Sequence, residues 1–393
     1  MDIHRYDKRI IWQKDNVKRS EVSNNNKKLI FEFEDYCALQ GMSKPRRIKY
    51  LEVLKGLAKI LNKDFDKVDK DDITRVVREI QYRDYSEWTI QTYKVMLKRF
   101  YKWFNGDEEY PLIVRWINTN LKKSKLKLPM EGDLLTEDEV RRIIESANTI
   151  RDKAFISLLY ESGCRVGEIG NLQLKHIKID DLGALITVFG KTGARNIRVI
   201  SSTPHLMSWM DNHPYKSERD CPIWVKDRKP LTYQYLVKIL RGASKRAGIS
   251  KRVNPHSFRH ARATFLASHL TEFQMNQYFG WIQGSKMAST YVHMSGKEIN
   301  NAILELNGIP IEKKIKESEL KPIKCPRCSS INNAGSKYCS KCAGLLDVKE
   351  AMEIEAKREE YRNKKLEVDE VMSKLLQDPE VQKFIAQKMN AIS

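Results

Sequence analysis

The 393-residue chain carries 71 Lys and Arg against 51 Asp and Glu, a formal net charge of +20, and is 41% hydrophobic. That hydrophobic content can fill cores for two or three domains and excludes a chain disordered throughout, while the basic excess points to a polyanionic partner, nucleic acid first. A membrane surface is the rival polyanion, but no apolar run approaches the ~18 residues of a spanning helix and Met1-Asp2-Ile3-His4-Arg5 has no signal-peptide pattern, so a soluble cytoplasmic protein is expected.

Residues 1–26 are polar and end in Asn24-Asn25-Asn26, which reads as a loosely ordered lead-in. From 27 to 120 the pattern is helical: Leu29, Phe33 and Tyr36 recur at spacings of three to four, as do Tyr50, Leu54, Leu57 and Leu61. A last helix starting near Ser86 places Ile90, Tyr93, Leu97, Phe100, Tyr101 and Phe104 on one stripe, completing a small all-helical bundle. Its polar faces carry Lys44, Arg46, Arg47 and Lys49 near one helix start and Lys94, Lys98, Arg99 and Lys102 on the last helix. Singly such charges solvate a bundle; in a chain of this net charge, Lys44, Arg46, Arg47, Lys49, Lys94, Lys98 and Arg99 are candidate DNA-phosphate contacts.

A basic run followed by Pro129 and Gly132 breaks the periodicity over 121–134 and reads as a linker. Thr136-Glu137-Asp138-Glu139 is a capping box that opens a second domain over 135–310. A helix around 154–162 stops at Gly163, and Arg165 follows in the turn before a short helix bearing Glu168 and Ile169. Residues 184–189 and 196–200 read as two strands around Gly190-Lys191-Thr192-Gly193, with Lys191 at the hairpin tip. A helix over 232–247 closes at Gly248, and Asn254-Pro255 then caps a helix that places His256 and Arg259 on one face. The whole is mainly α with a small antiparallel sheet.

Taken together, Gly163-Cys164-Arg165-Val166-Gly167-Glu168-Ile169, the Lys191 hairpin, His256-Ser257-Phe258-Arg259-His260, Gly280-Trp281 and Tyr291-Val292-His293 resemble, in order and local context, the motifs of the tyrosine recombinase (phage integrase) family. Each motif alone is weak, and their ordered combination is specific. The likeness spans roughly 27–305, with 27–120 similar to that family's SAM-like core-binding domain, and the stretch from Gly280 to Gly296 is most like archaeal members. Trp281 stands where most members have a second histidine; its indole N–H is still a phosphate donor. The resemblance implies a site-specific recombinase or integrase of a mobile element that cleaves and rejoins DNA through a 3′-phosphotyrosine, as a tetramer on two DNA sites, without catalytic metal or ATP. A type IB topoisomerase and a non-catalytic DNA-binding regulator are the alternatives.

The implied roles suit the residue types. Arg165 and Arg259 clamp the nonbridging oxygens, Tyr291 attacks, Lys191 protonates the leaving 5′-oxygen, His256 assists proton transfer from Tyr291 or supports developing charge, and Trp281 donates to a nonbridging oxygen. His260, Arg262 and His293 are expected as supporting or phosphate contacts at most, and Glu168 as an orienter of Arg165.

Of seven cysteines, Cys325, Cys328, Cys339 and Cys342 form two C-x-x-C knuckles over 321–346 that resemble a zinc ribbon. Four thiolates make a closed structural zinc site with no position for a catalytic water. Residues 343–393 hold nine Lys and Arg against eleven Asp and Glu, and the helical tail over 347–393 has amphipathic stretches suited to a subunit or protein partner.

Overall fold

The computed structural model describes residues 2–121, 131–190, 193–285, 287–295, 304, 306–308, 318 and 320–390. The chain forms two compact units, residues 1–134 with 230–236, and the remainder. Most of the linker expected over 121–134 lies outside the described residues.

The first unit is built from α1 (Tyr6–Lys18), α2 (Asn24–Leu39), α3 (Lys44–Leu61), α4 (Lys70–Tyr82), α5 (Glu87–Phe104) and the single turn α6 (Leu112–Arg115). Ser86 caps α5, its hydroxyl accepting from the Thr89 amide at 3.3 Å. The expected stripe is buried at Ile90, Leu97, Phe100 and Tyr101, whereas Phe104 is exposed. Phe33 meets Phe100 edge-on at 5.4 Å and Tyr50 at 5.0 Å, an arrangement in which ring edges face ring π-clouds. The lead-in expected over 1–26 is instead structured. Val17 of α1 is fully buried in the bundle core, and Lys14 of α1 pairs at 2.5 Å with the buried Glu34 of α2. Alternation was hidden there because Ile10, Ile11 and Trp12 are consecutive, and Ile11 and Trp12 remain exposed.

The second unit starts as the capping box requires. The Thr136 hydroxyl accepts from the Glu139 amide at 3.2 Å, and the Glu139 carboxylate accepts from the Thr136 amide at 2.8 Å, opening α7 (Glu137–Glu145). The helix α8 (Ile150–Ser162) is buried on all sides from Ala154 onward, which is why it lacks an amphipathic stripe. It ends at Gly163, whose φ of 56° is a left-handed cap suited to glycine. After α9 (Val166–Gly170), the strands β1 (Ile177–Asp180), β2 (Gly183–Gly190) and β3 (Gly193–Val199) form an antiparallel sheet in that order. β2 and β3 are the two expected strands; β1, only four residues long, had too little alternation to stand out.

Glu161 ties α8 to the end of this sheet. Its buried carboxylate accepts from the amides of Ile200, Ser201 and Ser202 at 2.7–2.9 Å and from the Ser202 hydroxyl at 2.6 Å, just before α10 (Thr203–Asp211). The helices α11 (Tyr233–Arg246), α12 (Pro255–Ala267), α13 (Glu272–Phe279) and α14 (Met287–Ser295) follow. α8 and α14 pack on α12. Beyond them, Ile323–Lys324 pairs antiparallel with Ile331–Asn332, and helices span Val348–Gln377 and Pro379–Asn390, the latter capped by Asp378. No helix among the described residues is long and apolar enough to cross a membrane.

Candidate active site

The site is assembled on α12. The Asn254 carboxamide accepts from the amides of His256 and Ser257 at 2.9 and 3.1 Å, and Pro255 occupies the first turn, where no amide is needed. Three residues on, Arg259 faces inward and is only 6% exposed. Its guanidinium donates to the Gly163 carbonyl at 2.8 Å and the Phe279 carbonyl at 3.0 Å, and lies over the rings of Phe279 and Trp281 at 5.0 and 5.4 Å. Both hydrogen-bond partners are neutral. Burial, with Arg165 nearby, lowers the Arg259 pKa to about 10, still well above neutrality.

Gly163 matters to this contact twice. Its φ is left-handed, and a Cβ there would sit 2.5 Å from a Phe279 ring carbon. Glycine thus lets the end of α8 approach the end of α13 closely enough for one guanidinium to bridge their carbonyls.

Arg165 is the N-cap of α9 and a third exposed, its side chain beside the buried Glu168 at 3.3 Å. Glu168 accepts the Arg165 amide at 2.8 Å and a bidentate pair from Arg195 of β3, both bonds 3.0 Å. Burial pushes the Glu168 carboxyl up, but the Arg195 hydrogen bonds and charge, with the Arg165 amide, hold it below the ordinary glutamate value. Arg195 also donates to the Tyr278 carbonyl at 3.0 Å. Glu168 therefore joins α9, the hairpin and α13 as well as orienting Arg165. Arg195 lies in the hairpin with no role marked by the sequence; a carboxylate fifteen residues before the hairpin's first strand gives no periodic signal for such a pair.

Tyr291 on α14 is 4% exposed, its ring stacked on Trp281 at 5.5 Å with planes 1° apart; Trp281 in turn stacks on Phe279 at 4.7 Å. The pile aims the Tyr291 hydroxyl at Nδ1 of His260, 2.7 Å away. Burial raises the Tyr291 pKa, with Arg259 opposing, and burial followed by the charges of His256 and Arg259 lowers that of His260. At neutral pH the phenol is therefore protonated and the imidazole neutral, so in the tautomer that carries its proton on Nε2 the hydroxyl donates and the imidazole accepts. His256, expected to assist proton transfer from Tyr291 or to support developing charge, is exposed one helical turn away, its ring centre 6.4 Å from that of His260. Though the side chain is exposed, desolvation by the protein around it, then the charges of Arg259 and Arg165, lower its pKa also.

Arg165, His256, Arg259, Trp281 and Tyr291 thus come together in one unit, while Lys191 lies outside the described residues, as does the side chain of His293. Arg262 has a structural occupation, donating to the Glu161 carbonyl at 2.9 Å and lying over Phe265. Of the seven candidate DNA contacts, Arg47 grips the buried Glu34, and Arg99 holds Asp107 at 2.7 Å and the Tyr36 hydroxyl at 2.8 Å. These two are internal ties of the bundle, a use that exposed-face charge counting cannot distinguish from phosphate contact. Lys98 donates to the carbonyl of Ile117 at 3.0 Å and Lys94 to Gln81 at 2.7 Å, while Lys44 pairs with Asp7 and Lys49 with Glu52. Arg46 lies over the Tyr50 ring at 5.1 Å.

Cys325, Cys328, Cys339 and Cys342 offer four sulfurs all within 4.8 Å of one another, two pairs at 3.7 and 3.6 Å. Tetrahedral thiolates about 2.3 Å from one ion stand about 3.8 Å apart, so the cluster fits a metal. The Lys341 amide and the Asn332 side chain point at Cys339 sulfur from 3.4 and 3.6 Å, donors suited to a thiolate.

Residues 133–298 match the phage integrase family. The chain is 27% identical over 283 residues to the tyrosine recombinase XerA of Pyrococcus furiosus, covering 70% of this chain and 93% of that protein. Among solved structures it is similar in fold to XerH site-specific recombinase bound to palindromic difH substrate (TM-score 0.55, 17% identity, 77% of this chain and 97% of that one). It is likewise similar to a lambda integrase tetramer bound to a Holliday junction (TM-score 0.55, 16% identity, 69% and 78%).

Proposed function

With residues 133–298 a domain of the phage integrase family, we propose that this chain is a tyrosine-type site-specific DNA recombinase that integrates or excises a mobile element. The observation that carries the reading is the setting of Tyr291, stacked on Trp281 and hydrogen-bonded beside a buried Arg259. A phenol held there can attack a phosphodiester drawn in by the guanidiniums of Arg165 and Arg259, whose charge offsets that building on the nonbridging oxygens. The Trp281 indole N–H adds a neutral donor. The 3′-phosphotyrosine stores the bond, so that a later 5′-hydroxyl reseals without ATP. Lys191 is proposed as the acid for the 5′-oxygen, and His256, exposed beside Arg165 and Arg259, as a phosphate contact.

Double-stranded DNA is the partner this chemistry requires, and exchange between two sites calls for a tetramer. The exposed Lys44 and Arg46 and the half-buried Lys49, Lys94 and Lys98 of the first unit are proposed to join the backbone contacts; Arg47 and Arg99 act through the bundle's shape. Cys325, Cys328, Cys339 and Cys342 would hold zinc, which supplies cross-linking to a module too small for a core of its own. The helical tail beyond it is proposed to dock a subunit or partner.

The test is covalent capture from a pool of nicked duplexes of random sequence, followed by a denaturing gel. Wild-type protein should give a protein–DNA adduct enriched in one sequence and absent in Tyr291→Phe. An adduct indifferent to that change, or none at any sequence, removes the recombinase reading.

A further inference from the structure

The hydrogen-bond partner of Tyr291 is the neighbour of the histidine that the motif singles out. We propose that His260 is the base that takes the Tyr291 hydroxyl proton during strand cleavage and returns it during rejoining. This rests on the recombinase reading above and assigns one of its proton transfers.

Three features support it. The first is reach: Nδ1 of His260 stands 2.7 Å from the Tyr291 oxygen, inside the range a general base needs, while His256 is one helical turn further along α12. The second is fixed geometry. Trp281 and Tyr291 stack with planes 1° apart, and the Trp281 ring is backed by Phe279, so the phenol has little freedom to turn from the imidazole. The third is protonation. Among the described residues, the charged and titratable groups acting on His260 are His256 and Arg259 from its own helix and Tyr291 from α14; α8 and α13, also packed on α12, add no charge to that set. Both His256 and Arg259 disfavour a cationic imidazole, which keeps His260 free to accept. When the phosphate arrives, its negative charge offsets that of Arg259, and the imidazolium becomes easier to form as the proton moves.

The step balances. The Tyr291 oxygen bonds phosphorus as its proton passes to His260 Nδ1; the bond from phosphorus to the 5′-oxygen breaks, and that oxygen takes a proton from a separate acid, for which Lys191 is the candidate. In rejoining, the 5′-hydroxyl gives its proton back to the conjugate base of that separate acid as it attacks phosphorus, the tyrosine oxygen leaves, and His260 returns its proton to the tyrosine oxygen.

The experiment is single-turnover adduct formation on the captured nicked duplex across pH, comparing wild type, His260→Asn and His256→Asn. Asparagine keeps an acceptor near the Nδ1 position but cannot carry the proton. His260→Asn is expected to slow cleavage about 10²-fold or more and to lose the acid limb of the pH profile, with melting temperature and DNA affinity held. The defect should persist on a duplex with a 5′-bridging sulfur, whose leaving group needs no acid, which separates the nucleophile's proton from the leaving group's. Wild-type rate and acid limb in His260→Asn, or loss of that limb only in His256→Asn, would overturn the assignment. On the free protein, ¹⁵N imidazole resonances should show His260 Nδ1 accepting a hydrogen bond that disappears in Tyr291→Phe; an unchanged resonance overturns it even if no duplex is ever captured. Failure of the recombinase reading looks different, as absence of a Tyr291-dependent adduct in the wild type itself.

Discussion

Replacing Glu168 with glutamine should loosen three elements at once. The wild-type carboxylate is 4% exposed and takes two 3.0 Å bonds from Arg195, itself 11% exposed, together with the Arg165 amide at 2.8 Å. Gly190 packs against it so closely that a Cβ there would lie 2.4 Å from Oε1, leaving no room for the side chain to turn away. In Glu168→Gln one oxygen becomes an NH₂ group facing a guanidinium donor, and a buried cation loses its counterion. Breaking a buried pair from one side costs about 3–5 kcal/mol, which corresponds to roughly 10²- to 10⁴-fold faster exchange of the β2–β3 ladder amides, read by native-state hydrogen exchange. The pH dependence follows from the lowered carboxyl. A group whose folded pKa lies below its unfolded value contributes stability above the unfolded value, here near 4.5, and loses it as pH falls through the folded one. The deficit should therefore be full at neutral pH and shrink only below pH 4.5. A Glu168→Gln protein within about 1 kcal/mol of wild type at neutral pH, or a deficit that vanishes above pH 5, would refute the reasoning, since either implies a solvated carboxylate of the kind whose pairs contribute about 0–1 kcal/mol.

Gly163→Ala combines a left-handed φ, costing about 1–2 kcal/mol, with a 2.5 Å approach to Phe279 that adds about 1–3 kcal/mol; urea unfolding followed at α8 should show the sum, and adduct formation should fall because the Arg259 anchor moves. Arg47→Ala should destabilise the first unit, by less than the about 3–5 kcal/mol of a fully orphaned buried charge because Lys14 still pairs with Glu34, with little change in the salt dependence of DNA binding. Lys49→Ala should do the reverse, lowering the slope of log affinity against log salt by about 0.9 with unfolding unchanged; equal behaviour of the two variants contradicts their separation. Chelation at neutral pH should release protection at Ile323–Lys324 and Ile331–Asn332 while α8 amides keep theirs, and re-addition of zinc should restore it; persistence of the ribbon's protection in chelator argues against a metal-held module.

Much of this architecture is legible because its signals are local. The Asn254 cap, the Thr136–Glu139 box, the Gly163 stop and the β2–β3 hairpin each need only neighbours in sequence, and all form. What was hidden depends on partners far along the chain. α1 looked like a polar lead-in because one buried valine and an ion pair to Glu34 leave no periodic trace. Arg47 and Arg99 looked like exposed cations because the acids they hold, Glu34 and Asp107, lie thirteen and eight residues away with nothing to mark the pairing. Motif order located Tyr291 and Arg259, yet could not say which of two histidines one turn apart would face the phenol. That choice is made by the packing of α14 on α12 and by the Phe279–Trp281 stack, both consequences of tertiary packing.

The two carbonyls that hold Arg259 set stability against recognition. A guanidinium buried among backbone oxygens and aromatic faces, with no acid among the described residues in direct contact, leaves a full positive charge inside the fold, an arrangement costing several kcal/mol per ion before partial repayment by hydrogen bonds. A carboxylate in that place would have made a more stable protein and a worse receptor, because each arriving anion would have had to displace it. The debt carried by the free chain is thus part of its affinity, and any oxyanion that fits beside Arg259, inorganic sulfate included, should raise the melting temperature of the second unit in proportion to the charge it brings.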